Sequence, residues 1–313
     1  MQLLQVLRDS NYINTLVERI QELEKRARDL SFKIVDFLKN ASGDIILYSY
    51  TGFGYTPASM LYWSHLIFQA SKQAIIAECE EASIYIFPYR ENIAALIFST
   101  GEYSKLIQAL QVARVLGTPY YAMAPPPPSE NLKLALKHLG VKATPFEDPV
   151  EATLYMTIAS FAAISELYKD KLGARGKRLH DHGKEGFATT AKEFIEKYSS
   201  ILETSLKAQP IKITSTRFLE APTLLLARAL RELKINATYT PLEDIFTSDN
   251  VLGIFLTVEE RIRRELRTRL KERLIELTLN LDPLEAIVYL TVLSYILYNA
   301  RAVTTTRDEK REG

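Results

Sequence analysis

The chain is short of cysteine, of glycine and of net charge. Its single Cys79 cannot close an internal disulfide, so nothing marks a disulfide-stapled secreted domain. Its 39 Lys and Arg against 38 Asp and Glu leave a formal charge of +1, which gives no overall electrostatic reason to expect nucleic acid. No uncharged apolar run approaches the ~20 residues that span a bilayer. The opening MQLLQVLRDSNY has no basic segment followed by an apolar signal core. The expectation is a cytoplasmic protein with neither a membrane nor a nucleic acid among its partners. A hydrophobic fraction of 47% and a charged fraction of 25% exclude disorder as the global state.

Glycine is the odd entry in the composition: 12 in 313 residues, against an average near ~7%. Ten of the twelve lie at or before Gly186, so a site built on a glycine loop belongs to the first half. Gly173, Gly176, Gly183 and Gly186 fall within the basic, aperiodic stretch KLGARGKRLHDHGKEG, which reads as a loop or linker.

What is present is alternation. Residues 13–40 have helical apolar spacing. Strand-length runs at 44–50, 74–77, 94–98, 119–123 and 141–144 alternate with helical segments at 57–70, 104–116, 129–140 and 149–168. The second half repeats the pattern, with strands at 210–214, 235–240, 251–256 and 274–279 and helices at 221–233, 259–272 and 283–298. This predicts an α/β protein of two similar lobes, each a mostly parallel sheet flanked by helices in a three-layer sandwich. The expected division is N-terminal helices over 1–40, a first lobe over 41–170, a linker and connecting helix over 171–205, and a second lobe over 206–313. The arginine-rich helix 259–272 also carries glutamates and reads as a solvated, ion-paired face.

Ligands of open parallel sheets sit beyond the carboxyl ends of the strands, where helix N-termini present free N–H groups. Two loops of the first half are so placed. In Gly52-Phe53-Gly54-Tyr55-Thr56, glycine allows an anion close to the backbone and Thr56 offers a hydroxyl at a helix start. In Phe98-Ser99-Thr100-Gly101-Glu102-Tyr103-Ser104, three serine and threonine hydroxyls surround one glycine. Helix capping is the alternative for both. No P-loop lysine or Walker pattern accompanies them, so ATP chemistry is not indicated.

These loops, their spacing and the double α/β layout resemble the sugar isomerase (SIS) domain family, over about residues 40–300. Gly52, Gly54 and Thr56 resemble its Gly-x-Gly-x-Ser turn, with Thr for Ser. Thr100 and Gly101 match the Ser-Gly pair of its second turn, while Phe98 and Tyr103 stand where Ser and Thr are expected. The resemblance implies a sugar-phosphate ligand and a homodimer. Gly52, Gly54, Thr56, Ser99, Thr100, Gly101 and Ser104 would seat the phosphate.

It also implies aldose–ketose isomerisation, assisted by a histidine, a glutamate and a C-terminal lysine. Glu243 matches one family glutamate, with no histidine after it. Glu232 or Lys234 stands near the other, Lys310 is the C-terminal lysine, and His180 lies in the glycine-rich stretch. Neither a metal nor a cofactor is expected. His180-x-His182 lacks a carboxylate or cysteine partner spaced to complete a zinc site. A non-catalytic sugar-phosphate sensor is the alternative to an isomerase. The second lobe, with no glycine loop, is expected to bind no phosphate of its own. His65 and His138 read as structural.

Overall fold

A computed structural model describes residues 9–312 apart from 69–70 and 172, with the side chains at 206 and 302–312 also left undescribed. The chain forms two compact units. Leu23–Glu185 is the first lobe; Met1–Glu22 with Gly186–Gly313 is the second. The opening helix α1 (Ser10–Asn40) contributes to both.

The first lobe holds a five-stranded, all-parallel sheet: β1 (Ile45–Thr51), β2 (Gln73–Glu78), β3 (Ile93–Ser99), β4 (Tyr120–Ala124) and the short β5 (Lys142–Ala143). Their order is β2-β1-β3-β4-β5. Strand β3, IAALIFS, is buried at every position, as a central parallel strand covered on both faces must be. The helices are α2 (Tyr55–Ile67), α3 (Tyr103–Val115), α4 (Glu130–His138), α5 (Pro149–Leu167) and α6 (Ala174–Glu185). Ser129 caps α4 by accepting from Leu132 N. Asp148 caps α5 by accepting from Val150 N and Glu151 N, with Pro149 in the first turn. Between β2 and β3 a single α-turn, Cys79–Glu81, runs on into a π-helical turn, Ala82–Ile86, which the strand-and-helix reading passed over.

The glycine-rich stretch expected as a loop is helical in α6. Gly173 and Gly186 flank the helix with positive φ, the conformation glycine adopts at no steric cost. The glycines inside it answer to packing instead. A Cβ on Gly176 would lie 2.2 Å from Lys171 O, and one on Gly183 2.8 Å from Ser165 Oγ of α5.

The second lobe is a four-stranded parallel sheet: β6 (Ile211–Ser215), β7 (Ala237–Tyr239), β8 (Val251–Leu256) and β9 (Leu274–Leu279), in the order β7-β6-β8-β9. Counted from the first strand of each lobe, this is the order 2-1-3-4 of the first lobe without its fifth strand. Its helices are α7 (Ala188–Lys207), α8 (Glu220–Glu232), α9 (Glu260–Leu270) and α10 (Pro283–Glu312). The stretch Pro283–Arg301 is long and apolar enough to cross a membrane, but 83% of it is buried inside the fold and it packs against α8. The Tyr12 hydroxyl of α1 donates to Ile296 O of α10 across 284 residues of sequence. On α9, Arg263 and Arg267 pair with Glu276 of β9, the ion-paired face its composition predicts.

Candidate functional site

In the first sheet the chain leaves β1 toward β2 on one side and returns to β3 on the other. The switch point therefore lies between β1 and β3, and the loops leaving those strands border a crevice at their carboxyl ends. These are the two hydroxyl loops picked from the sequence. Parallel pairing sets Thr51 directly beside Ser99 at the last rung.

The loops are hydrogen-bonded to each other. Thr51 Oγ1 lies 2.8 Å from Ser99 Oγ and 2.7 Å from Gly101 O, and Ser99 Oγ lies 2.7 Å from the same carbonyl. Two hydroxyl protons serve these three contacts, so neither is left for a ligand. Phe53 N donates to Thr100 Oγ1 at 2.8 Å, which leaves the proton of Thr100 available. Gly54 allows the first loop to press on β3: a Cβ there would lie 2.2 Å from Phe98 O. Stacking of Tyr50 on Tyr55, with centroids 4.5 Å apart, fixes the same loop from both ends.

Thr56 in the first turn of α2 is fully buried, and its Oγ1 has no hydrogen-bond partner. A buried hydroxyl without a partner costs about 1–3 kcal/mol, so this one is poised to gain by accepting or donating a bond. Gly52 and Gly101 both have positive φ, and the space a Gly101 Cβ would enter is open. Ser104, also in the expected phosphate set, is exposed on α3. The Tyr103 hydroxyl donates to Pro125 O and Pro126 O of the tetraproline connection.

Sequence reasoning missed Thr51, Glu102 and Lys105. Glu102 precedes α3 in a left-handed conformation, with φ +51°. Lys105 Nζ lies 3.2 Å from Glu102, 3.4 Å from Glu80 and 3.8 Å from Glu78, and these carboxylates raise its pKa, Glu102 most of all. The nearby Cys79 thiol is buried and accepts from Ser49 Oγ at 3.5 Å; burial pushes it up to about 12, so it remains a protonated thiol at neutral pH.

His65 is a structural residue, as expected. Its Nε2 faces Lys72 O at 2.6 Å, and a carbonyl can only accept, so Nε2 carries the proton and Nδ1 accepts from the Tyr48 hydroxyl at 3.0 Å. Burial lowers its pKa. His138 ends α4.

The expected proton movers are scattered. His180, on α6 of the first lobe, pairs with Glu166 at 3.5 Å, and His182 stands edge-on to Phe161. Glu232, the last residue of α8, holds Arg228 at 2.5 Å and Arg301 at 3.4 Å. Glu243 is exposed in a 3-10 turn after β7. A helix of a parallel α/β unit runs back from the carboxyl to the amino ends of the strands. Glu232 and Glu243 therefore lie at opposite ends of the second sheet and cannot act together within that lobe. The side chain of Lys310 falls outside the described residues. Among the described residues no group of three His, Cys, Asp or Glu side chains is placed to hold a metal. A cavity of about 790 Å³, lined by Phe32, Asp36, Phe37 and Tyr121, lies at the amino ends of β1 and β4, away from the crevice.

The second lobe has its own switch point, between β6 and β8. There Thr216 Oγ1 donates to Glu259 Oε1 at 2.6 Å, and Leu256 N donates to Glu259 Oε2 at 2.7 Å.

Two parallel 2-1-3-4 sheets with paired loops at the carboxyl ends define the double SIS fold, and the chain has it. No protein-family model matches the sequence, and no curated protein matches it. Solved structures do. A candidate phosphosugar isomerase from Silicibacter pomeroyi superposes with a TM-score of 0.66 at 12% identity, covering 98% of both chains. Glucosamine-6-phosphate deaminase from Thermotoga maritima gives 0.63 at 14% identity, covering 93% of this chain and 94% of that one. The C-terminal domain of glucosamine-fructose-6-phosphate aminotransferase from Francisella tularensis gives 0.59 at 13%, covering 92% and 96%.

Proposed function

We propose that the chain binds a sugar phosphate in the crevice of the first lobe and does so without turning it over. The observation that carries this reading is the pair of loops joined across the β1/β3 switch point, with the buried, partnerless hydroxyl of Thr56 beside them. Thr100 supplies a hydroxyl donor, and Thr56 lies buried behind the first loop. The N-termini of α2 and α3 supply backbone N–H groups, and Gly52 and Gly101 let a phosphate approach the chain. Thr51 and Ser99, buried and bonded to Gly101 O, hold the loop rather than touch the ligand. A sensor reading is favoured over an isomerase because the family's histidine has no counterpart after Glu243, and because Glu232 is tied into two arginine pairs.

Thermal-shift titration with fructose 6-phosphate, glucosamine 6-phosphate and inorganic phosphate tests binding. Stabilisation by a sugar phosphate without any aldose–ketose conversion, followed by NMR, is the expected result. The second reading, an aldose–ketose isomerase, draws on the likeness to solved isomerase and deaminase folds. Turnover that is lost in Glu243→Gln would establish it in place of the sensor. The homodimer that the resemblance implies is read in the same samples by light scattering.

A further inference from the structure

Lys105 is one ammonium among three carboxylates, those of Glu78, Glu80 and Glu102. A fourth carboxylate, Glu81, is held by Glu78 N in a capping box on the same turn. As a structural ion pair the cluster is badly balanced. It leaves a local excess of carboxylates beside the turn that follows β3, with Glu78 and Glu80 reaching Lys105 from the end of β2 and the turn after it. Each partner is roughly half exposed, so no single pair is strong. Lys105 lies in the first turn of α3, directly after the Ser99–Gly101 turn. Its carboxylate neighbour Glu102 is the residue that links that turn to the helix, in a left-handed conformation.

We propose that Lys105 is the charge latch of the anion site: in the empty protein Glu78, Glu80 and Glu102 hold its ammonium, and a seated phosphate dianion draws the ammonium away from them. The inference rests on the sugar-phosphate reading and adds to it a residue that sets which anions enter. The surplus carboxylates oppose any anion that cannot recruit Lys105. The lysine supplies to the bound ligand a charge-assisted bond that the loop hydroxyls lack. A sugar phosphate, held also through its hydroxyls, overcomes the opposition better than inorganic phosphate does.

The latch makes the two ends of one ion pair act in opposite directions. Isothermal titration with fructose 6-phosphate and with inorganic phosphate is run on the full-length wild type and on Lys105→Gln, Glu102→Gln and Thr100→Val. Lys105→Gln is expected to weaken fructose 6-phosphate roughly tenfold, the loss of one charge-assisted bond. Glu102→Gln is expected to tighten it about two- to fivefold, the release of an exposed pair. Both variants lower the melting temperature of the empty protein slightly, because both lose the same pair. A purely structural pair would move affinity in one direction for both variants. Weakening by Glu102→Gln, or unchanged affinity in Lys105→Gln, overturns the latch. If Thr100→Val still abolishes binding in that case, the sugar-phosphate reading stands without it. A wild type that binds neither probe removes the reading and the latch together.

Discussion

At the switch point of the first lobe, neutral groups join the two loops: three hydroxyls and the carbonyl and N–H groups of Gly101 and Phe53. At the switch point of the second lobe a carboxylate joins them, Glu259 accepting from Thr216 and Leu256 N. The strand order is the same, so topology alone does not create an anion site. A neutral bridge leaves the helix N-termini free to attract negative charge, whereas a built-in carboxylate already occupies that role. The contrast is a physical reason, independent of glycine content, to look for the proposed phosphate in the first lobe rather than the second.

Several measurements can break that contrast. The largest effect is expected at the glycines that let backbones meet. Gly54→Ala drives a Cβ to 2.2 Å from the Phe98 carbonyl, which belongs to rigid sheet backbone. Denaturant unfolding should record a loss of about 3 kcal/mol, at the upper end for overpacking. Gly253→Ala in the second lobe meets the Phe255 ring at 2.4 Å, a side chain that can turn, and should cost about 1–2 kcal/mol. The reverse order would mean that the first loop is not pressed against β3.

Next is ligand protection. Fructose 6-phosphate at a hundredfold excess over its Kd should stabilise the protein by ~2.7 kcal/mol. Hydrogen exchange should slow at 51–56 and 99–105 and stay unchanged at 214–220. Slowing at 214–220 would place an anion in the second lobe and end the asymmetry.

The bridging threonines come third. Thr216→Val takes a donor from a charged acceptor and should cost about 1.5–2 kcal/mol. Thr51→Val leaves Ser99 still bonded to Gly101 O and should cost about 1 kcal/mol. Equal losses would mean that the two bridges do not differ in charge.

The smallest effect is in pH. All four histidines lie between 65 and 182, in the first lobe. Burial lowers the pKa of His65, so the unfolded chain binds its proton more readily than the folded one. The stability it contributes is present above the unfolded value of 6.5 and is lost as pH falls through the lower folded value. Thermal melts from pH 7 to 5 should show this decline, and His65→Gln should flatten it.

The order of elements was legible because burial imposes a period. Strand β3 is a plain apolar run, and Pro149 after Asp148 announces α5. The position of the crevice was legible because Gly52, Gly54 and Gly101 have conformational or close-approach duties that other residues cannot meet. Thr51 was not, because it reads as the end of a strand and its role appears only when parallel pairing sets it beside Ser99. The Lys105 cluster was hidden for the same reason: Glu78 and Glu80 reach it from β2 and the turn after it. The stretch KLGARGKRLHDHGKEG misleads because four glycines in a basic run without apolar periodicity mark a loop by composition. Two of its glycines lie inside α6, where close neighbours leave no room for a side chain.

The bond from Tyr12 to Ile296 bears on how the molecule comes into being. Everything the first lobe needs has left the ribosome once Glu185 has emerged, and domains fold as units from the N-terminal side. Residues 10–22 are made earlier still, yet they belong to a lobe whose other elements, α10 among them, all follow the first lobe in the chain. Ile13, Leu16 and Ile20 on this segment are buried, and the Tyr12 bond ties it to α10. A segment made before the first lobe is therefore completed only by helices made after it.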